Sequence, residues 1–261
     1  MAIGLIIIGD EILSGKRSDQ HLSKMIALLA ARGLQLDWAE YIGDQRARIT
    51  ATLQRSFAGN DIVFSTGGIG ATPDDHTRQC AAAALGVPLA LHEGAKQLIQ
   101  QRMMDMAAEA GKSVDLSTPD SLQRLKMGEF PQGAELIPNP YNKIPGFAVQ
   151  NHYFLPGFPV MAWPMMEWVL DTYYPHLFHQ QPHAEQAVLV YEIMEATLTP
   201  LMEALEADYP LIKIFSLPSV GNAQQRRHIE LGVKGESQQV AAAFAQMRQA
   251  LDGLQAEYVP L

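Results

Sequence analysis

Asp61-Ile62-Val63-Phe64-Ser65-Thr66-Gly67-Gly68-Ile69-Gly70-Ala71-Thr72-Pro73-Asp74-Asp75-His76-Thr77 reads as a short buried strand, a glycine-rich loop and the start of a helix. The strand is the apolar run at its head. The helix is the alanine-rich run that continues to about Leu85. Gly67, Gly68 and Gly70 fall within four residues, which permits close backbone approach to a ligand and tight-turn conformations. Consecutive loop N–H groups, with the dipole of the following helix, suit an anion. In an open α/β sheet such a loop lies at the carboxyl end of a strand, where ligands bind. Two adjacent carboxylates beside a phosphate call for a divalent cation between them. Asp74 and Asp75 also suit a plain helix cap, but with Thr72 and Thr77 they exceed what a cap requires.

The same alternation extends outward. Ile3–Ile8 is a continuous apolar run, the mark of a strand covered on both faces. Leu22, Met25, Ile26, Leu28 and Leu29 recur at helical spacing, ahead of Gly33. Residues 35–42 read as a strand, and Asp44 as the cap of a helix over 47–57. A long helix is predicted over 93–110, and Thr118-Pro119 opens a shorter one. Residues 133–156 break into small strands, and 160–170 forms a buried helix holding Met161, Trp163, Met165, Met166 and Trp168. The expected fold is a three-layer α/β/α domain around a mainly parallel sheet. Residues 173–185, with prolines and His176, His179 and His183, read as a linker rather than a metal site. Beyond it, a strand (187–193), a helix (200–207), two strands (211–217 and 228–235) and a helix (237–254) form a small α+β unit over 186–261, leaving 1–172 as the first domain.

The chain has 261 residues, 28 acidic and 19 basic, for a net charge of −9, and one cysteine. An internal disulfide is excluded, and a reducing compartment is expected. The negative charge disfavours nucleic acid as the main partner, but not phosphate held by backbone N–H groups. No targeting or membrane-spanning segment stands out, so a cytoplasmic protein is expected. Gly9-Asp10-Glu11-Ile12-Leu13-Ser14-Gly15 follows the first strand as the glycine loop follows its own. Neither loop has the ending of a P-loop or the spacing of a dinucleotide-binding turn.

Gly9-Asp10-Glu11 with Ser14-Gly15, then Asp19, the 66–77 loop, Asn139, Pro145-Gly146-Phe147 and Leu155-Pro156-Gly157-Phe158-Pro159 together resemble the molybdopterin-binding domain superfamily. The order is closest to the amino-terminal domain of the competence/damage-inducible CinA family. The resemblance covers roughly residues 3–170. The tail resembles, more weakly, the KH-like subdomain of those proteins.

The resemblance implies a homo-oligomer, dimer or trimer, binding a small pterin or nucleotide ligand. It implies metal-dependent hydrolysis of nucleotide pyrophosphates such as ADP-ribose or FAD. The alternative is binding of molybdopterin or a nucleotide, without hydrolysis, in molybdenum cofactor biosynthesis. Carried over, Gly67, Gly68 and Gly70 hold phosphate, with Thr66, Thr72 and Thr77 among the ligand-binding residues. Asp74 and Asp75 hold a divalent cation, magnesium or similar, and position the attacking water. Gly9, Asp10, Glu11, Ser14 and Asp19 line the pocket with Asn139, and Pro145-Gly146 and Pro156-Gly157 shape its far wall. Lys143 and Lys16 are offered either as phosphate partners or as surface lysines.

The chain departs from the family pattern at Ala71, Gln20-His21, Asn142-Lys143 and Val160-Met161, and a stand-alone form without the amidohydrolase domain often fused behind is expected. A third reading, RNA binding through Arg226-Arg227 in the tail, lacks the GxxG loop that clamps a KH ligand.

Overall fold

The computed structural model describes residues 2–180, 183–222 and 225–261. It divides into two compact units, Met1–Phe178 and His179–Leu261.

The first unit is organised by β1 (Ile3–Ile8), buried along its whole length. Because successive side chains alternate across a sheet, the strand feeds two cores. Ile3, Leu5 and Ile7 enter one apolar cluster, whereas Ile6 and Ile8 enter the other. β2 (Trp38–Ile42) and β3 (Ile62–Thr66) pair with β1 in parallel, and β8 (His152–Leu155) pairs in parallel with β3. Two antiparallel strands, β7 (Gly146–Val149) and β6 (Glu135–Ile137), complete the order β2-β1-β3-β8-β7-β6.

The alternation recurs in β3, where Ile62 and Phe64 face the first cluster and Val63 the second. A short α1 (Asp10–Leu13) follows β1. Two helices, α2 (His21–Ala30) and α7 (Pro159–Tyr173), cover the first face. They contribute Met25, Leu28 and Leu29, and Met165, Met166 and Val169. The second face is covered by α3 (Arg46–Phe57), α4 (Thr77–Leu85) and α5 (Glu93–Glu109) through Ile49, Leu53, Ala81 and Ala95. That is the three-layer arrangement with a mainly parallel sheet. Phe130, Phe147 and Phe154 stack through the second core with centroids 4.8 and 4.4 Å apart.

Three details differ from the sequence reading. Asp44 does not cap α3, because the cap position is Gln45 and the Asp44 carboxylate bonds elsewhere. The segment after Leu170 is not an open linker. Helix α7 runs to Tyr173, and Tyr174 is buried with its hydroxyl 2.7 Å from that of Tyr153. A short antiparallel pair, β4 (Leu89–Leu91) with β5 (Glu129–Pro131), has too few residues to leave a periodic signal. Between α5 and β5, α6 (Pro119–Leu125) starts as expected, with Thr118 accepting the Ser121 N–H.

The second unit is an antiparallel sheet of order β10-β11-β9-β12, formed by β9 (His183–Tyr191), β10 (Ile212–Ser219), β11 (His228–Glu236) and β12 (Tyr258–Pro260). Helices α8 (Glu195–Asp208) and α9 (Ser237–Gly253) share one core with it through Leu198, Leu205, Val240 and Met247. Helix α8 starts earlier than predicted and absorbs Pro200 in its interior. Arg226 pairs with Glu257 at 2.7 Å and stacks over Tyr191, so its charge is already engaged. The His183 side chain lies outside the described residues, and no metal-holding group of three or more His, Cys, Asp or Glu occurs among those described.

One buried histidine makes the fold acid-sensitive. His152 is 1% exposed, its Nε2 lies 2.6 Å from Ser56 Oγ, and burial lowers its pKa to about 4. The unfolded chain then binds a proton below about pH 6.5 that the folded chain refuses until about pH 4. Stability is full above the upper value and falls by about 3 kcal/mol as pH drops through that window. Urea unfolding from pH 7 to pH 4 checks this, and His152→Gln flattens that part of the profile. Parallel profiles for the two proteins would contradict it.

Candidate functional site

The site forms where β1, β2 and β3 end side by side. Gly9 donates its N–H to Ile42 O at 3.0 Å, turning the chain out of β1. Asp10 N–H donates to the Asp44 carboxylate at 2.8 Å, and Asp44 N–H donates back to the Asp10 carboxylate at 3.2 Å. This reciprocal pair fixes two carboxylates across neighbouring strand ends. Asp10, Glu11, Ser14, Lys16, Asp44 and Asp74 line a single cleft of about 590 Å³. Burial holds the Asp44 carboxyl above the usual carboxylate range, and the charges of Asp10, Glu11 and Asp74 add to the effect.

The glycine loop stands beside this cleft. Gly67 and Gly68 have φ of 98° and 67°, backbone that side-chain-bearing residues rarely adopt. Gly67 N–H donates to Leu155 O at 3.0 Å. Thr77 closes the loop: its hydroxyl donates to Gly67 O and its N–H to Gly68 O, both at 3.0 Å. Behind Gly67 lies Gly157, where an added Cβ would meet the Gly67 Cα at 3.5 Å. The buried His21 bonds Gly157 O through Nε2 at 3.0 Å. Thr66 is buried at the end of β3, and its hydroxyl has no protein partner.

The structure thus gathers Asp10, Glu11, Ser14 and Asp74 in one cleft. It sets Gly9, Thr66, Gly67, Gly68, Thr77 and Gly157 at the adjoining strand ends. Asp74 and Asp75 line different clefts. The Asp75 carboxylate accepts the Thr72 N–H at 2.8 Å and the Thr72 hydroxyl, beside Gly70. Asp75 and Thr72 line a different cleft, with Arg46, Arg78 and Lys126.

Other expected ligand contacts have local duties. Asp19 accepts the His21 and Leu22 N–H groups at the start of α2, and the Tyr41 hydroxyl at 2.9 Å. Burial and that bond push the Tyr41 phenol up to about 12. Asn139 is buried and pins its own loop, accepting from Tyr141 N–H and donating to Ile144 O. That loop delivers Pro145 and Gly146 into β7, where a Cβ on Gly146 would run into Phe154 O. Lys143 pairs with Asp105 of α5 at 2.6 Å.

Asp44 was missed as a site residue, although a signal existed. It stands just beyond β2 as Asp10 stands just beyond β1, and parallel neighbours bring such positions together. Among the described residues, no three His, Cys, Asp or Glu converge closely enough to hold a metal ion. The acidic cleft nevertheless suits magnesium, which is usually held by one or two carboxylates plus substrate phosphates rather than by a protein cage. No described helix is long and apolar enough to cross a membrane.

The probable molybdopterin binding domain family matches residues 4–177. A CinA-like protein of Anaeromyxobacter dehalogenans is 34% identical over 182 residues, 68% of this chain and 41% of its own length. A CinA-like protein of Syntrophotalea carbinolica is 28% identical over 227 residues, 81% of this chain and 53% of its own length. The chain therefore spans about half or less of these relatives. The crystal structure of CinA from Thermoplasma acidophilum superposes with a TM-score of 0.55 at 26% identity, covering 66% of this chain and 98% of that one. With the three-layer fold and the strand-end glycine loop, the matched residues establish that this chain belongs to the molybdopterin-binding domain family and is related to the amino-terminal domain of the CinA proteins.

Proposed function

We propose that the first unit hydrolyses a nucleotide pyrophosphate of the ADP-ribose or FAD kind, assisted by a divalent cation. The observation that carries this reading is the crowding of Asp10, Glu11, Asp44 and Asp74 into one cleft beside the glycine loop. Four carboxylates face one lysine there, and the charges of Asp10, Glu11 and Asp74 add to the burial that raises the Asp44 carboxyl. A cation and its phosphate ligand relieve that crowding of charge.

The Gly68 N–H and the loop N–H groups that follow it hold the phosphate oxygens, since the Gly67 N–H is spent on Leu155 O. One or two of the carboxylates Asp10, Asp44 and Asp74, which line the cleft, would hold the cation, and it would neutralise charge developing on those oxygens. Glu11, exposed in the same cleft, orients the attacking water and takes its proton. The water oxygen bonds to one phosphorus, the bridging P–O bond breaks, and two phosphomonoesters leave. Asp75 is a positioning residue, since Thr72 already occupies its carboxylate.

Incubation with ADP-ribose, FAD and NAD, each with and without magnesium, tests this. Mononucleotide is expected only when metal is present, and Glu11→Gln is expected to lower turnover about 100-fold. A second reading, ligand binding without hydrolysis, is favoured by the lack of a preformed three-ligand metal site among the described residues. Tight pterin binding with no turnover of the three substrates would support it over the first.

A further inference from the structure

The glycine loop has a second side. Arg78, the second residue of α4, is 3% exposed. Its guanidinium donates to Gly70 O at 2.6 Å and to Lys126 O, but its Nε–H has no protein partner. Arg78 belongs to none of the ion pairs among the described residues. The neighbouring Gln79 Oε1 is likewise buried and without a partner. Burial alone pushes the Arg78 guanidinium downward, and only the more distant charges of Glu129 and Asp75 oppose that. A buried cation without a direct counterion is costly, and an anion beside it offsets the cost.

Arg78 lines a cleft of about 290 Å³ together with Arg46, Lys126, Asp75 and Glu129. Arg46 and Lys126 are exposed and outside the described ion pairs. Three cationic side chains, Arg46, Arg78 and Lys126, thus face two carboxylates, Asp75 and Glu129. We infer that this cleft is an anion subsite that takes a phosphate or pyrophosphate group, with Arg78 as its buried floor and Arg46 and Lys126 as its outer charges. The unpartnered Nε–H of Arg78 suits a phosphate oxygen, and the two outer side chains add positive charge around it. The loop from Gly70 to Asp75 thus separates a cation-seeking cleft from an anion-seeking one. The subsite deepens the reading of a phosphate-ester ligand and rests on it for its biological occupant.

Calorimetric titration of the full chain with inorganic pyrophosphate, without divalent metal, tests the inference separately from turnover. Binding is expected, weakened on the order of tenfold in Arg46→Ala/Lys126→Ala, whose two sites are surface positions. Arg78→Lys, checked for folding by circular dichroism, is expected to weaken binding as well, because the unpartnered Nε–H donor is lost. Asp10→Asn is expected to leave binding no weaker. Absence of binding at millimolar pyrophosphate, or equal affinity in the double variant, would overturn the subsite. Loss of binding on Lys16→Ala alone would overturn it too, by moving the anion to the acidic cleft. If ADP-ribose is not hydrolysed while this binding pattern holds, the hydrolase reading falls and the subsite stands.

Discussion

Gly67→Ala is expected to lower the free energy of unfolding by about 3 kcal/mol or more. Two costs add at this residue. Its φ of 98° lies where a side chain strains the backbone, about 1–2 kcal/mol in related left-handed conformations. An added Cβ would also run into Ile8 O, a backbone atom of the central strand that cannot swing aside. Relief requires β1 or β3 to shift where they pair, and such overpacking costs a further ~1–3 kcal/mol. Gly157→Ala is the control. Its Cβ would meet only the Gly67 Cα at 3.5 Å, ordinary contact, so its stability stays within about 1 kcal/mol of the parent. Urea midpoints of the two variants check the contrast. Equal midpoints would show that the loop conformation is not fixed by the strand ends.

Asp44→Asn is expected to separate stability from activity. The Asp44 carboxyl is raised in the folded chain, chiefly by burial, against the lowering Asp10 N–H bond and with the charges of Asp10, Glu11 and Asp74 adding. The folded state therefore holds its proton more tightly than the unfolded state. Stability contributed by this group is present below the ordinary carboxylate range and is lost as pH rises through the raised value. At neutral pH and without metal, the asparagine variant escapes that loss and is at least as stable as the parent. Its amide oxygen still accepts the Asp10 N–H, so the strand-end pairing survives. It removes one of the charges assigned to the cation, and turnover is expected to fall on the order of 10²–10³-fold. Thermal melts at pH 5 and pH 8, with and without magnesium, read the first effect, and mononucleotide release reads the second. A less stable variant with unchanged turnover would remove Asp44 from the site and return it to a structural role.

The layered fold was legible because β1 is apolar on both faces, and an alternating strand of that kind demands helices above and below. Helices α2, α4 and α5 announced themselves by spacing and composition. The start of α8 did not, because a proline inside a helix reads as a boundary, whereas here Pro200 sits within the helix that begins at Glu195. The glycine loop was legible as a ligand-binding turn, but the partition of its carboxylates was not. Asp74 and Asp75 are neighbours in sequence, and the turn closed by Thr72 sends them into different clefts. Asp10 and Asp44 are 34 residues apart and become partners only through parallel pairing of β1 and β2. Arg78 carried no sequence signal as a site residue. Its significance lies in a burial that only the packed structure reveals.

The most direct test of the account is a crystal structure of the protein with manganese and a methylene-bridged, non-hydrolysable analogue of ADP-ribose. The account places the anomalous manganese signal in the cleft lined by Asp10, Asp44 and Asp74, on one or two of these carboxylates, with the analogue's phosphonate oxygens on the Gly68 N–H and the loop N–H groups that follow it. Manganese at that cleft with the phosphates on the loop would establish the reaction site. An analogue bound away from the glycine loop, or a metal held by Asp75 instead, would contradict it.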